Sequence, residues 1–260
     1  MDHLKISLLY LGNLGCNYFR IVNCDDKSRM YRSPVPAVLI EHPVLGNILY
    51  DTGNSPFSRH EYGSHINEVY PVEEFISIED ALAAKGLSCG DIDRLILSHL
   101  HFDHVGGLRY FSGTKAIRNI TVARAELMNA CESVFTAEEH SAYRKSLFDV
   151  EGAVYHTISG TVELAPDLTL FVQQSHTPGV IGMIVKTQTE GNLIFTSDTV
   201  YTRASWEHQL PPGGNINKTT SEFFSNMERL REMQKQYDAT MIFGHDYDQI
   251  MEWSRKGTVE

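Results

Sequence analysis

Residues 95–107 read Leu-Ile-Leu-Ser-His-Leu-His-Phe-Asp-His-Val-Gly-Gly, and they constrain the fold more than any other stretch of the chain. An apolar run of strand character passes straight into four side chains able to ligate a metal, His99, His101, Asp103 and His104, within six positions. His99 and His101 stand two apart, so in an extended segment leaving a strand they point the same way. Asp103 and His104 fall on the next bend and can face a second ion. Gly106 and Gly107 are expected to permit a tight backbone turn there.

Imidazole and carboxylate donors at one site suit zinc or a similar divalent ion, and two ions about 3.5–4 Å apart need a carboxylate that bridges them. Further donors must therefore come from elsewhere in the chain. Three later residues each follow a strand-like run: His176 after Leu170-Phe-Val-Gln-Gln-Ser, Asp198 after Leu193-Ile-Phe-Thr-Ser, and His245 after Thr240-Met-Ile-Phe-Gly. Such placement gathers all these side chains at one edge of a sheet structure. A single histidine in this setting more often packs in the core or lies at the surface. Four donors in one short segment and three more at strand ends are hard to obtain from packing alone. His3, His42, His60, His65, His140, His156 and His208 lack such a setting and are assigned no metal.

Short runs rich in β-branched residues predict strands at 37–41, 48–51, 94–98, 120–123, 168–173, 183–186, 193–196 and 240–243, and the apolar start at 6–11 predicts another. Helices are expected at 78–85, with Ser77 as N-cap and Gly86 as the stop, at 126–132, at 137–148, and at 221–237. In the last of these, Phe223, Phe224, Met227, Leu230 and Met233 recur at spacings of three and four and predict a core-facing stripe. Strands mixed with helices predict a layered α/β architecture, sheets inside and helices outside, in one domain over 1–260. Segments 55–72 and 206–218, dense in Gly, Pro, His or Asn, are the expected long loops.

A net charge of −11 opposes a polyanionic partner and excludes nucleic acid as the expected substrate. No stretch approaches the roughly 20 apolar residues of a membrane span. The N-terminus reads as a strand, not as a signal peptide, so a cytoplasmic protein without a membrane partner is expected. The four cysteines lie far apart with no Cys-x-x-Cys pair, which suggests neither a zinc knuckle nor a disulfide framework. Oligomeric state stays open, a homodimer being one option.

Residues 98–107 match the His-x-His-x-Asp-His signature of the metallo-β-lactamase superfamily. Asp51-Thr52-Gly53, Ser175-His176-Thr177-Pro178-Gly179, Ser197-Asp198 and Gly244-His245-Asp246 resemble its other motifs in the family's order, over nearly the whole chain. The resemblance implies an αββα sandwich, two mixed β-sheets flanked by helices. It also implies two Zn2+ ions, with Fe, Mn or Co as replacements. One ion would be held by His99, His101 and His176, the other by Asp103, His104 and His245, with Asp198 bridging. Asp51 would orient ligands by hydrogen bonding.

Within the superfamily, Tyr201 three residues after Asp198 resembles the N-acyl homoserine lactonases, the quorum-quenching lactonases, as do Gly12-Asn-Leu-Gly-Cys16, Ser98-His-Leu-His-Phe-Asp-His104 and Ile242-Phe-Gly-His245-Asp246. Val180 departs from that pattern, since many relatives place a second histidine there. The resemblance implies a metal-dependent hydrolase of a carboxylic ester bond, opening the ring of an N-acyl homoserine lactone or a similar small lactone by attack of a metal-bridging hydroxide. Tyr201 would assist the substrate carbonyl, and Asp103 would carry a proton to the departing ring oxygen. A tyrosine after a strand also commonly packs its ring and bonds a nearby carbonyl. Tyr18, Phe19, Phe57, Tyr70, Phe102 and Trp206 are candidates for an acyl groove, or equally for core. The rival activities are a glyoxalase II-like thioesterase, a β-lactamase and an iron-dependent oxidoreductase. The full ligand set speaks against a mononuclear iron dioxygenase.

Overall fold

A computed structural model describes residues 3–138, 140–213 and 220–260. Its strands fall in two groups along the chain. The first comprises β1 (Lys5–Asn17), β2 (Met30–His42), β3 (Gly46–Tyr50), β4 (Val72–Phe75), β5 (Arg94–Ile96), β6 (Ile120–Ala123) and β7 (Tyr155–Ile158). The second comprises β8 (Val162–Ala165), β9 (Leu168–Ser175), β10 (Thr177–Lys186), β11 (Asn192–Phe195) and β12 (Ala239–Ile242), after which β13 (Thr258–Val259) returns to the first sheet beside β1. The helices are α1 (Ser58–Glu61), α2 (Gly63–Val69), α3 (Ile78–Ala83), α4 (Phe102–Val105), α5 (Arg124–Phe135), α6 (Lys145–Phe148), α7 (Arg203–His208), α8 (Thr220–Tyr237) and α9 (Tyr247–Lys256).

Both sheets are mixed. The first runs β13-β1-β2-β3-β5-β6-β7, with β4 also on β1; it is antiparallel through β3 and parallel from β3 to β7. The second runs β12-β11-β10-β9-β8, antiparallel except for the β11–β12 pair.

Alternation along the strands sends successive residues to opposite faces and so divides the apolar side chains into layers. Ile6, Leu8, Val38, Ile40, Ile48 and Tyr50 face Leu168, Leu170, Ile181, Met183, Leu193 and Phe195 across the sandwich. Their neighbours Leu39, Leu49 and Leu95 turn outward to meet Ile66 of α2 and Ile78 and Leu82 of α3. On the other outer face, Phe171, Ile184 and Ile194 pack under Phe223, Met227 and Leu230 of α8 and Trp206 of α7. The order helix, sheet, sheet, helix is the αββα sandwich.

Several expectations need correction. Of the apolar stripe in α8, Phe224 is exposed and takes no part in the core. Among the described residues of 137–148, α6 alone is helical; upstream, Tyr143 forms an isolated bridge to His101, and Arg144 donates to the carbonyls of Tyr62, Ser141 and Tyr143. The expected loop 55–72 carries α1 and α2, and the other expected loop lies partly outside the described residues. Gly106 and Gly107 have ordinary negative φ, so left-handed freedom is not what they supply. A Cβ on either would stand 2.1 Å from Ser55 N or 2.2 Å from Thr52 O, so glycine here lets the 51–55 loop press against α4.

Candidate metal centre

Seven donor side chains converge where strands of both sheets end. His99 and His101 follow β5, with Asp103 and His104 in the first turn of α4; His176 lies in the β9–β10 connection, Asp198 follows β11 and His245 follows β12. Three backbones around the site adopt positive φ without glycine: Asp51 at 62°, His176 at 68° and Ser197 at 47°. Conformations of this kind persist only where their surroundings hold them, and they collect at functional sites.

Two groups of donor atoms form. In the first, His176 Nε2 lies 3.2 Å from His99 Nε2 and 2.9 Å from His101 Nδ1. In the second, His104 Nε2 lies 3.7 Å and His245 Nε2 4.0 Å from Asp103 Oδ2. Asp198 stands between them. Its Oδ2 is 3.8 Å from His99 Nε2 and 3.4 Å from His176 Nε2, and its Oδ1 is 3.3 Å from His104 Nε2 and 3.2 Å from His245 Nε2. Donors bound about 2.0–2.1 Å from a tetrahedral ion stand about 3.3 Å from one another, so these spacings fit coordination. Two buried atoms make the same point: His104 Nε2 and Asp198 Oδ1 lack any hydrogen-bond partner, although each is sealed from water. Buried polar atoms are rarely left so unless something unseen satisfies them.

The atoms behind the donors fix which nitrogen faces inward. His104 Nδ1–H donates to Asp51 Oδ2 at 2.9 Å, and His245 Nδ1–H donates to the Pro34 carbonyl at 2.8 Å, so that Nε2 is the nitrogen each ring directs into the site. Asp51 is held in turn by the Ser98 N–H and hydroxyl at 2.7 and 2.6 Å. Tyr201 Oη lies 3.0 Å from His176 Nδ1. With His176 Nε2 turned inward, Nδ1 carries the proton and the tyrosine oxygen accepts it.

The titration of the group follows from burial and crowded charge. Burial, with the neighbouring His104, holds His99 neutral far below the usual histidine range, and burial pushes His176 down to about 4. Burial opposes charge on His104 and His245 as well, but the carboxylates outweigh it and hold both above the usual histidine range, Asp198 contributing most, with Asp103 beside both and Asp51 beside His104. Asp198 is buried yet stays ionised far below the carboxylate range because four imidazoles surround it. Asp103 is raised by burial, and Tyr201, raised by burial and by Asp198, stays protonated.

Glu126 was not singled out from the sequence. Fully buried on α5, it accepts the Leu100 N–H at 2.8 Å between two of the donor histidines, and burial pushes its pKa up to about 7. Its helical phase was the available signal, since Ala130 and Ser133 at i+4 and i+7 mark the packed face of α5. Of the aromatic candidates, Tyr18 and Tyr70 pack beside Cys16 and Tyr201, whereas Phe102 and Trp206 belong to the core and Phe57 is exposed.

An αββα sandwich that brings two sets of imidazole and carboxylate donors to one edge, with a shared aspartate, defines a class of metal-binding sandwich proteins. The chain belongs to the metallo-beta-lactamase superfamily, whose sequence model matches residues 30–245. It is similar to an N-acyl homoserine lactonase, AttM, of Rhizobium radiobacter, with 28% identity over 261 residues covering 95% of each chain. An N-acyl homoserine lactonase of a Bacillus species is 29% identical over 238 residues, 86% of this chain and 89% of that one. A solved N-acyl homoserine lactone hydrolase, carrying the product N-hexanoyl-L-homoserine at its catalytic metal centre, superposes with a TM-score of 0.82 at 25% identity, covering 97% of each chain.

Proposed function

We propose that the chain is a dinuclear metal-dependent lactonase that opens N-acyl homoserine lactones or close analogues. His99, His101 and His176 would hold one ion, Asp103, His104 and His245 the other, and Asp198 would be shared. The observation that carries this proposal is the Asp198 carboxylate, with its oxygens 3.2–3.8 Å from imidazoles of both sets, in a chain similar to lactonases along its length. Imidazole and carboxylate donors favour zinc. Two bound divalent ions would supply an ionised water near neutral pH and polarise a carbonyl.

The remaining work falls to side chains. Tyr201 Oη accepts from His176 Nδ1, so its own O–H is left to donate into the site, toward Asp198 or an incoming carbonyl oxygen. Because the phenol stays protonated, it remains a donor at any working pH. Asp103, with its carboxyl raised by burial, is suited to take up a proton and return it to the leaving ring oxygen.

The test is a panel of short- and long-chain acyl homoserine lactones, a thioester, a β-lactam and a phosphodiester, offered to metal-replete protein with acid release followed by pH-stat. Lactones are expected to turn over fastest, one acid per ring. No lactone turnover, or a thioester hydrolysed faster, overturns the proposal.

A further inference from the structure

Beside the donors, Cys16 near the end of β1 packs with Ile21, Val22 and Tyr201, and Tyr70, just after α2, closes on the same cluster. The Tyr70 ring also lies 6.3 Å from that of Phe102, the residue between His101 and Asp103. Over Tyr70 sits Arg20, its guanidinium carbon 5.6 Å from the ring centroid. Arg20 ends the short 3-10 turn Tyr18–Arg20 and is half-buried, and among the described residues no carboxylate pairs with it. In a chain with 33 acidic residues against 22 lysines and arginines, a partly desolvated guanidinium with no ion-pair partner calls for an explanation.

Other basic groups share this side of the site. Arg20, Arg144 and His140 all add positive potential at His65, whose ring stacks on His140 at 4.0 Å, while Glu68 opposes them. Arg144 is committed: its Nε donates to the Tyr62 carbonyl at 2.7 Å, and its Nη1 donates to the carbonyls of Ser141 and Tyr143 at 2.6 and 2.9 Å. Arg20 makes none of these backbone bonds; it hydrogen-bonds the Tyr70 hydroxyl, a neutral group that leaves its charge unpaired. A guanidinium resting on an aromatic face keeps its edge N–H groups available, and their fork matches a carboxylate.

We propose that Arg20 recognises a carboxylate at the far end of the substrate's acyl half, so that the site prefers lactones whose acyl chain ends in an anion over those ending in a methyl group. This rests on the lactonase proposal for the position of the ring being opened. An alkyl end lying against Arg20 would leave the guanidinium desolvated and unpaired, whereas a carboxylate satisfies it.

The experiment compares kcat/KM for pairs of N-acyl homoserine lactones that differ only in a terminal methyl or carboxylate, over a series of acyl lengths. It uses the metal-replete wild type, Arg20→Met and Arg20→Lys. For at least one length the carboxylated member is expected to be favoured by about tenfold, mainly through KM, as suits a charge-assisted pair near the surface. Arg20→Met should abolish the ratio, Arg20→Lys should keep part of it, and added salt should shrink it in the wild type. A wild type that favours the methyl member at every length, or a ratio that survives Arg20→Met, overturns the assignment. Calorimetric titration of the ring-opened carboxylated product into wild type and Arg20→Met separates the two proposals. Binding that depends on Arg20 without turnover of any lactone sinks the lactonase and keeps the anion site. Turnover of both members without preference does the reverse.

Discussion

Asp51→Asn tests how the carboxylate behind the centre governs the ion proposed to be held by His104. In the wild type every group around Asp51 is a donor: the Ser98 N–H meets Oδ1 at 2.7 Å, and the Ser98 hydroxyl and His104 Nδ1–H meet Oδ2 at 2.6 and 2.9 Å. A carboxamide must therefore set its NH2 against a donor. If the NH2 faces Ser98 N–H, one buried charge-assisted hydrogen bond is lost, at a cost of about 1.5–3 kcal/mol. If it faces His104, Nδ1 must become the acceptor, and the imidazole proton moves to Nε2, the atom 3.3 Å from Asp198 Oδ1. Either outcome agrees with the roughly 10–100-fold, or about 1.4–2.8 kcal/mol, typical of removing a partner that orients a metal ligand. Backbone strain is not a confounder, because Asp51 has φ 62° and asparagine tolerates the left-handed region as well as aspartate does. Competition with a chromophoric chelator should show one of two metal equivalents weakened by about 10–100-fold and the other close to wild type. If both equivalents bind Asp51→Asn as tightly as wild type, the tautomer argument is wrong.

Tyr201→Phe should lower kcat on a lactone by about 100-fold with both metals retained; loss of metal with kcat per loaded site unchanged would mean that bonding His176 is the tyrosine's whole contribution. Because the carboxylates raise His104 and His245 and so favour their protonated forms in the metal-free protein, loading at neutral pH should expel protons, and affinity should fall as pH falls. A pH indicator in weak buffer measures this, and no proton release at pH 7 would contradict it. Those raised values also stabilise the metal-free fold below the unfolded histidine pKa of about 6.5, a contribution lost as pH rises through the folded values. Glu126 has a folded pKa of about 7 against an ordinary 4.5, so the folded state holds its proton longer and stability is lost as pH rises across that window. Glu126→Gln should remove up to about 3 kcal/mol of that loss, read from urea unfolding at pH 5 and pH 8; equal pH slopes in the two proteins would refute it.

The donors were legible in sequence because each lies within a few residues of a strand end, where a local pattern carries the information. His99, His101, Asp103 and His104 announce themselves through spacing, and His176, Asp198 and His245 through the apolar runs before them. Convergence of the last three was an inference from order along the chain, and parallel pairing of β11 with β12 is what sets Asp198 and His245 side by side. Tertiary contacts overrode local pattern elsewhere. Residues around Tyr143 have helical composition, yet the bridge to His101 and the carbonyls gathered by Arg144 hold them extended. Strands β7 and β8 escaped notice because four residues with mixed burial give no clean alternation. Helix α9 was hidden by its charges, although Asp246 caps it by accepting the Gln249 N–H and only Ile250 and Trp253 among its apolar residues are buried.

The chain leaves one sheet for the other at residues 159–161, which are exposed. His99, His101, Asp103 and His104 precede that crossing and His176, Asp198 and His245 follow it, so each proposed donor set draws on both halves. Bound cations would act as rivets between two halves that are also joined by apolar packing, by the return of β13 to β1 and by hydrogen bonds such as that of His245 Nδ1–H to the Pro34 carbonyl. A nick at Gly160 should yield fragments that reassemble far more tightly when divalent cations are present. Capture of the ions during folding would likewise be a late event, waiting until both halves have docked.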